Sequence, residues 1–285
     1  MLICRFAPSP NGFLHLGHAY SALMNARLAR AHGGLFLLRI EDIDRERSKP
    51  QFEQAAREDL QWLGLDWPRP ERRQSGFFGA YRALLDGLLA RGLAYPCFCT
   101  RGAIAAKAAG ARDPDGAPLY PGSCRDMTPD VRAQKIAAGE KFAVRLDMAR
   151  ALAEIERPLT YREFFEGDTP QVMTARAALW GDAVIGRRDV PASYHLACVH
   201  DDAAQGVTDV VRGADLEAAT GLHVLLQALL GLPTPDYRHH RLVLDEDGKK
   251  LAKSKGSKTL HALREGGVTA ADARAMLGER MGTQF

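Results

Sequence analysis

The stretch Pro8-Ser9-Pro10-Asn11-Gly12-Phe13-Leu14-His15-Leu16-Gly17-His18 joins a short apolar segment, Leu2 to Ala7, to a segment, Ala19 to Ala31, whose apolar residues recur at helical spacing. Two prolines and an Asn-Gly pair force a turn between them, so the order is strand, turn, helix. That layout suits phosphate. A helix start offers N–H groups without intrahelical partners and the positive end of the helix dipole. Gly17 lets backbone come close to a ligand. His15 and His18 are three apart and can both face a nucleotide, donating to phosphate oxygens as charge builds up during displacement. The bland alternative is a histidine pair that caps and packs a helix.

Outward from this stretch the chain alternates strand and helix: Leu35 to Ile40 reads as a strand, Gln51 to Leu63 and Tyr81 to Ala90 as helices, with Gly33-Gly34 closing the first helix. Such alternation predicts an α/β fold with a Rossmann-like parallel sheet and helices on both faces. From about Tyr95 the character changes to cysteines, an alanine-rich helix candidate and the turn-rich run 112–118. Three segments are expected: 1–94, the first half of a nucleotide-binding catalytic domain; 95–190, an inserted subdomain; and 191–285, the second half. Phe142 to Leu146 and Asp182 to Ile185 read as strands of the insertion, Asp209 to Val211 as a returning parallel strand. Glu217 to Leu230, Thr259 to Leu263 and Ala270 to Leu277 read as helices.

A chain of 285 residues with 46% hydrophobic residues can bury a large core, so neither a disordered nor a membrane class is needed. The net charge of +3 neither requires nor excludes RNA, because a basic face can be offset by acidic surface elsewhere. The chain starts with strand-like Leu2-Ile3-Cys4, and no apolar run reaches bilayer length. A cytoplasmic protein without a membrane partner is expected, and a monomer. Five cysteines, two of them one residue apart, suit a metal site or free thiols better than a disulfide framework.

Further motifs follow in a fixed order. Arg5-Phe6-Ala7-Pro8-Ser9-Pro10-Asn11-Gly12 precedes the histidines, and Arg39-Ile40-Glu41-Asp42-Ile43-Asp44 follows the first helix. Then come Asp201-Asp202, Asp209-Val210-Val211-Arg212-Gly213-Ala214-Asp215 and Lys250-Leu251-Ala252-Lys253-Ser254. This set, spread over nearly the whole chain, resembles the glutamyl branch of class I aminoacyl-tRNA synthetases. A full glutamyl-tRNA synthetase continues into a large anticodon-binding region, whereas this chain stops soon after its second nucleotide motif. The resemblance is therefore closest to the short paralogues made of the catalytic core, with a lysine loop, a short C-terminal helical segment and no anticodon-binding domain.

The resemblance implies ATP-dependent activation of L-glutamate and transfer of the glutamyl group to queuosine in the anticodon of tRNA(Asp), a tRNA modification. It implies ATP binding by His15, Gly17, His18, Lys250 and Lys253, with His15, His18 and Lys253 catalytic. Ala252 stands where a serine is common in such loops. Arg5, Ala7, Ser9, Glu41, Tyr194 and Arg212 are implied to form the glutamate pocket. Arg5 and Arg212 are the candidates for the side-chain carboxylate, since a guanidinium can pair one through two parallel hydrogen bonds; which of them reaches it is left open. Mg2+ is expected to arrive with ATP, held mostly by phosphate and water.

Cys97, Cys99, Tyr120 and Cys124 could supply three thiolates and a phenolate to a tetrahedral structural zinc, and buried reduced cysteines are the alternative. The Cys-x-Cys, Tyr-x-x-x-Cys arrangement matches that of the resembled family, which favours Zn2+. Arg72, Arg73, Arg187 and Arg188 are candidate RNA-backbone contacts. Two competing functions remain. One is a truncated glutamyl-tRNA synthetase that charges a tRNA 3′ end. The other is a His-x-Gly-His nucleotidyltransferase, against which the 39–44 segment and the lysine loop argue.

Overall fold

The computed structural model describes residues 1–108, 110–165, 169–244 and 258–282. Its strands are β1 (Ile3–Phe6), β2 (Leu35–Ile40), β3 (Arg72–Arg73), β4 (Ala94–Cys97), β5 (Ala143–Leu146), β6 (Thr160–Glu163), β7 (Gln171–Thr174), β8 (Val184–Gly186), β9 (Asp209–Gly213) and β10 (Asp236–His240). The helices are α1 (Leu16–Ala31), α2 (Pro50–Trp62), α3 (Phe78–Ala90), α4 (Arg101–Lys107), α5 (Pro129–Ala137), α6 (Met148–Ala153), α7 (Tyr194–Ala204), α8 (Ala219–Leu230), α9 (Leu260–Glu265) and α10 (Ala270–Met281).

A seven-stranded sheet runs in the order β3-β2-β1-β9-β10-β6-β7, parallel throughout except for β7. The chain leaves β1 toward β2 and β3 and returns on the other side through β9, so β1 and β9 flank the point where strand order reverses. In open α/β sheets the crevice beyond the carboxyl ends of the strands at that point is where ligands bind. Arg5 lies near the end of β1 and Ala7 just after it, Glu41 follows β2 and Arg212 lies near the end of β9. The α1 face carrying Leu16, Ala19, Tyr20 and Leu23 is buried against this half of the sheet, together with Leu260 and Leu277 from α9 and α10.

α1 begins at Leu16, earlier than the apolar spacing from Ala19 suggests. The cap is His15, outside the usual Ser, Thr, Asp and Asn set: its ring accepts the Gly17 N–H at 3.1 Å, and the His18 ring accepts the His15 N–H at 3.1 Å.

The 95–190 segment divides differently from the sequence reading. β4, β5 and β8 form a separate antiparallel sheet, but the β6–β7 hairpin joins the main sheet beside β10, with Tyr237 opposite Glu163. The hairpin is short and its outward residues Thr160, Arg162, Gln171 and Val172 are exposed, so its pattern is that of a surface loop until β10 is there to pair with it. No helix of the described residues is long and apolar enough to cross a membrane.

Candidate active site and metal centre

A cleft of about 540 Å³ opens at the sheet reversal, and its lining includes Arg5, Ala7, Ser9, His15, Gly17, His18, Glu41, Tyr194 and Arg212. Every implied glutamate-pocket residue thus lies with both histidines in one cavity. Lys250 and Lys253 lie outside the described residues. The chain on either side of 245–257 meets the cleft: Val243 lines it, and Thr259 bridges to His15 while the Leu260 N–H donates to the Leu14 carbonyl at 2.8 Å.

Backbone geometry sets the histidine tautomers. Each Nδ1 accepts a backbone N–H, so the proton of each neutral ring resides on Nε2. The rings lie 3.8 Å apart, centroid to centroid. Gly17 leaves room for this arrangement: a Cβ there would stand 3.0 Å from His15 Cε1, close enough that the ring would have to shift.

The arginines divide by their partners. Arg5 grips Asp202 through Nε at 2.9 Å and Nη2 at 3.3 Å, and Arg39 joins the same carboxylate at 2.6 Å while reaching Glu41 at 3.1 Å. Burial alone would raise the Asp202 carboxyl, but Arg39 and Arg5 overrule it and hold it well below the usual carboxylate range. Glu41 is pushed upward by burial, which its arginine neighbours offset only in part. Arg212, 4% exposed, makes no hydrogen bond to a carboxylate among the described residues.

The sequence reading does not single out Asp202, Thr220, His223 or His239 as site groups. His223 and Thr220 do carry a signal, as buried polar residues, with Gln227, in the mostly apolar helix Ala219–Leu230.

Residues 1–283 match the family model for the catalytic domain of class I tRNA synthetases of the glutamate and glutamine type. The chain belongs to that family. It is 46% identical over 283 residues to the glutamyl-Q tRNA(Asp) synthetase of Rhodobacter capsulatus, a match covering 97% of this chain and 100% of the relative. A glutamate–tRNA ligase of Aquifex aeolicus is 38% identical over 92% of this chain but only 54% of its own length. Among solved structures, a glutamate tRNA ligase from Elizabethkingia meningosepticum in complex with its amino acid superposes with a TM-score of 0.72 at 28% identity, over 90% of this chain and 53% of the other.

The four RNA candidates fare unequally. Arg72 is bound to Asp201 and lies over the Phe77 ring at 3.5 Å, and Arg73 is paired with Asp42 and Glu53. Arg72 acts as an internal strut, while Arg73 is exposed but has its charge matched by these carboxylates. Arg187 pairs with Asp44 and Asp189, whereas Arg188 donates to the Phe98 and Cys99 carbonyls and so keeps its whole charge. Arg187 and Arg188 line a second hollow of about 1220 Å³ together with Arg101, Lys141, Arg145 and His195.

At the end of β4, Cys97, Cys99 and Cys124 bring their Sγ atoms within 4.8 Å of one another. A tetrahedron of zinc–sulfur bonds of about 2.3 Å has edges of roughly 3.8 Å, a spacing these thiols can reach with small shifts. Tyr120 Oη accepts the Cys124 N–H at 2.8 Å and lies 3.6 Å from Cys99 Sγ, near enough to the thiols to supply a fourth donor. The loop is tied to the antiparallel sheet because Arg125, next to Cys124, donates to Asp182 at 2.6 Å and 2.9 Å. The donor set fits Zn2+ as a closed structural site. Cys97→Ser is expected to lower the zinc content from near one equivalent toward none and to destabilise the β4–β5–β8 unit first, since coordination free energy is also folding free energy. Atomic absorption and thiol titration check this; a zinc-free wild type with three freely reacting thiols would exclude the site.

Proposed function

We propose that this protein activates L-glutamate with ATP·Mg2+ and transfers the glutamyl group to queuosine in the anticodon of tRNA(Asp). The observation that carries the reading is the convergence, in one cleft, of two histidine Nε2–H groups and a buried arginine whose partners are all uncharged. In the first step an oxygen of the glutamate α-carboxylate attacks the α-phosphorus of ATP, the bond to the bridging oxygen breaks, and pyrophosphate leaves. His15 and His18 are assigned to the phosphate oxygens, where fixed donors act without reorganisation. Arg212 is assigned to the side-chain carboxylate. Arg5 lends its remaining Nη1 edge, its other edge being committed to Asp202. Glu41 is assigned to the substrate ammonium.

In the second step a hydroxyl of the queuosine ring attacks the adenylate carbonyl, AMP leaves, and the hydroxyl proton is lost. The match to the Rhodobacter capsulatus glutamyl-Q tRNA(Asp) synthetase over its full length supports this acceptor. The hollow beside the cysteine cluster, whose five cations outnumber its three aspartates Asp113, Asp115 and Asp189, offers a surface on which an anticodon loop could be held. Similarity to glutamate–tRNA ligases supports a second reading, charging of a 3′ end. Radiolabelled glutamate separates the two. Transfer to tRNA from cells that make queuosine, and not to tRNA from cells lacking it, is the expected result, with pyrophosphate exchange requiring no tRNA. Efficient charging of unmodified tRNA(Glu) would overturn the assignment.

A further inference from the structure

Four groups lie within hydrogen-bond distance of the Arg212 guanidinium: Tyr194 Oη at 3.5 Å, His223 Nδ1 at 3.3 Å, Thr220 Oγ1 at 2.7 Å and His239 Nε2 at 3.2 Å. A guanidinium only donates, so the two ring nitrogens that face it carry no proton. His223 must then bear its proton on Nε2, from which it donates to His195 Nδ1 at 3.1 Å. His239 bears its proton on Nδ1 and donates it to Glu163 at 2.6 Å. The bonds made by Arg212 therefore run outward from it, and with Nδ1 bare and the proton on Nε2 the His223 ring is neutral. Burial and the Arg212 charge reinforce this by pushing His223 well below the usual histidine range and His195 down to about 4.

The contrast with the neighbouring arginines gives this arrangement its meaning. Arg5 and Arg39 are each matched by a carboxylate of the protein, while Arg212 is held in orientation without being neutralised. A buried guanidinium oriented by uncharged acceptors has a whole charge left for an incoming anion. An amide ligand offers it no charge in return.

Building on the glutamate reading above, we propose that His223 is a specificity-determining positioning residue: by accepting from Arg212 as a neutral ring, backed by His195, it keeps that guanidinium oriented and uncompensated, and so makes the pocket prefer the acid of glutamate over the amide of glutamine. His223 acts through Arg212 and touches no substrate.

The test compares His223→Gln, His223→Leu and His223→Glu. Glutamine at this position can accept from Arg212 and donate to His195, leucine removes the acceptor, and glutamate supplies a built-in carboxylate. Affinities for L-glutamate and L-glutamine are measured by calorimetry, and kcat and KM by ATP–pyrophosphate exchange. His223→Gln is expected to stay within about threefold of wild type, and His223→Leu to raise the KM for glutamate about tenfold with kcat little changed, the size of one lost hydrogen bond. His223→Glu is expected to weaken glutamate binding by ~100-fold and to cut the glutamate-to-glutamine affinity ratio by at least ~10-fold, because the guanidinium is then already matched.

An unchanged ratio in His223→Glu, or a loss in His223→Gln equal to that in His223→Leu, would mean that the ring only fills space and would overturn the proposal. Should His223→Glu fail to fold by circular dichroism, the difference between His223→Gln and His223→Leu decides alone. Absence of exchange in the wild type would count against the catalytic reading, while the binding ratios still score His223 separately.

Discussion

Replacing Arg212 by leucine is expected to weaken glutamate binding by about 100- to 1000-fold, or ~3–4 kcal/mol, at the lower end of the loss when one partner of a buried charge pair is removed. No carboxylate among the described residues bonds Arg212 directly, Glu163 standing behind the His239 ring, and this makes the effect large. With leucine in its place the substrate carboxylate would enter a pocket where, among the described residues of the cleft wall, the other guanidinium edge belongs to Arg5, whose charge is already shared with Asp202. Arg212→Lys should recover part of the loss, since it keeps the charge but not the planar fork. Arg5→Leu is expected to behave otherwise, disturbing the Asp202–Arg39 network and so lowering thermal stability along with affinity. Calorimetric titration of glutamate and melting curves for the three variants check this. Normal glutamate affinity in Arg212→Leu would remove Arg212 from the pocket's recognition groups.

Lys253→Ala is expected to lower kcat of glutamate-dependent pyrophosphate exchange by ~10²- to 10³-fold with glutamate affinity nearly unchanged. An ammonium that neutralises the leaving pyrophosphate acts mainly as charge develops, so its removal weakens the transition state more than the ground state. The lysine motif supports this role, as do the two chain ends that flank its segment, Val243 in the cleft wall and Thr259 bridged to His15. A variant with full kcat at saturation and only a raised KM for glutamate would assign Lys253 to substrate binding instead.

Chemistry carried by neighbours in the chain is legible in the sequence alone. The strand, turn and helix around Pro8–His18 can be read because apolar period, prolines and an Asn-Gly pair act within a few residues. The Cys97-x-Cys99 pair can be read for the same reason, and Tyr120 and Cys124 come with the family pattern. β10 escapes such a reading because Asp236-Tyr237-Arg238-His239-His240 is polar at nearly every position, with Tyr237 as its buried apolar residue. Its strand character comes from pairing with β9 along five residues. The β6–β7 hairpin escapes as a consequence, having β10 as its template.

By itself, then, the sequence determined the alternating α/β pattern, the family and the set of residues that gather at the cleft. Which arginine is left with charge to offer was decided only by the tertiary structure. Asp202 reaches Arg5 and Arg39 across more than 160 residues, and the rings of His223 and His239 reach Arg212 from a different helix and a different strand. The physical reason is that a guanidinium's identity is local but its neutralisation is not. Whether a buried charge is already compensated depends on which carboxylates and which neutral acceptors the fold brings within about 3 Å of it.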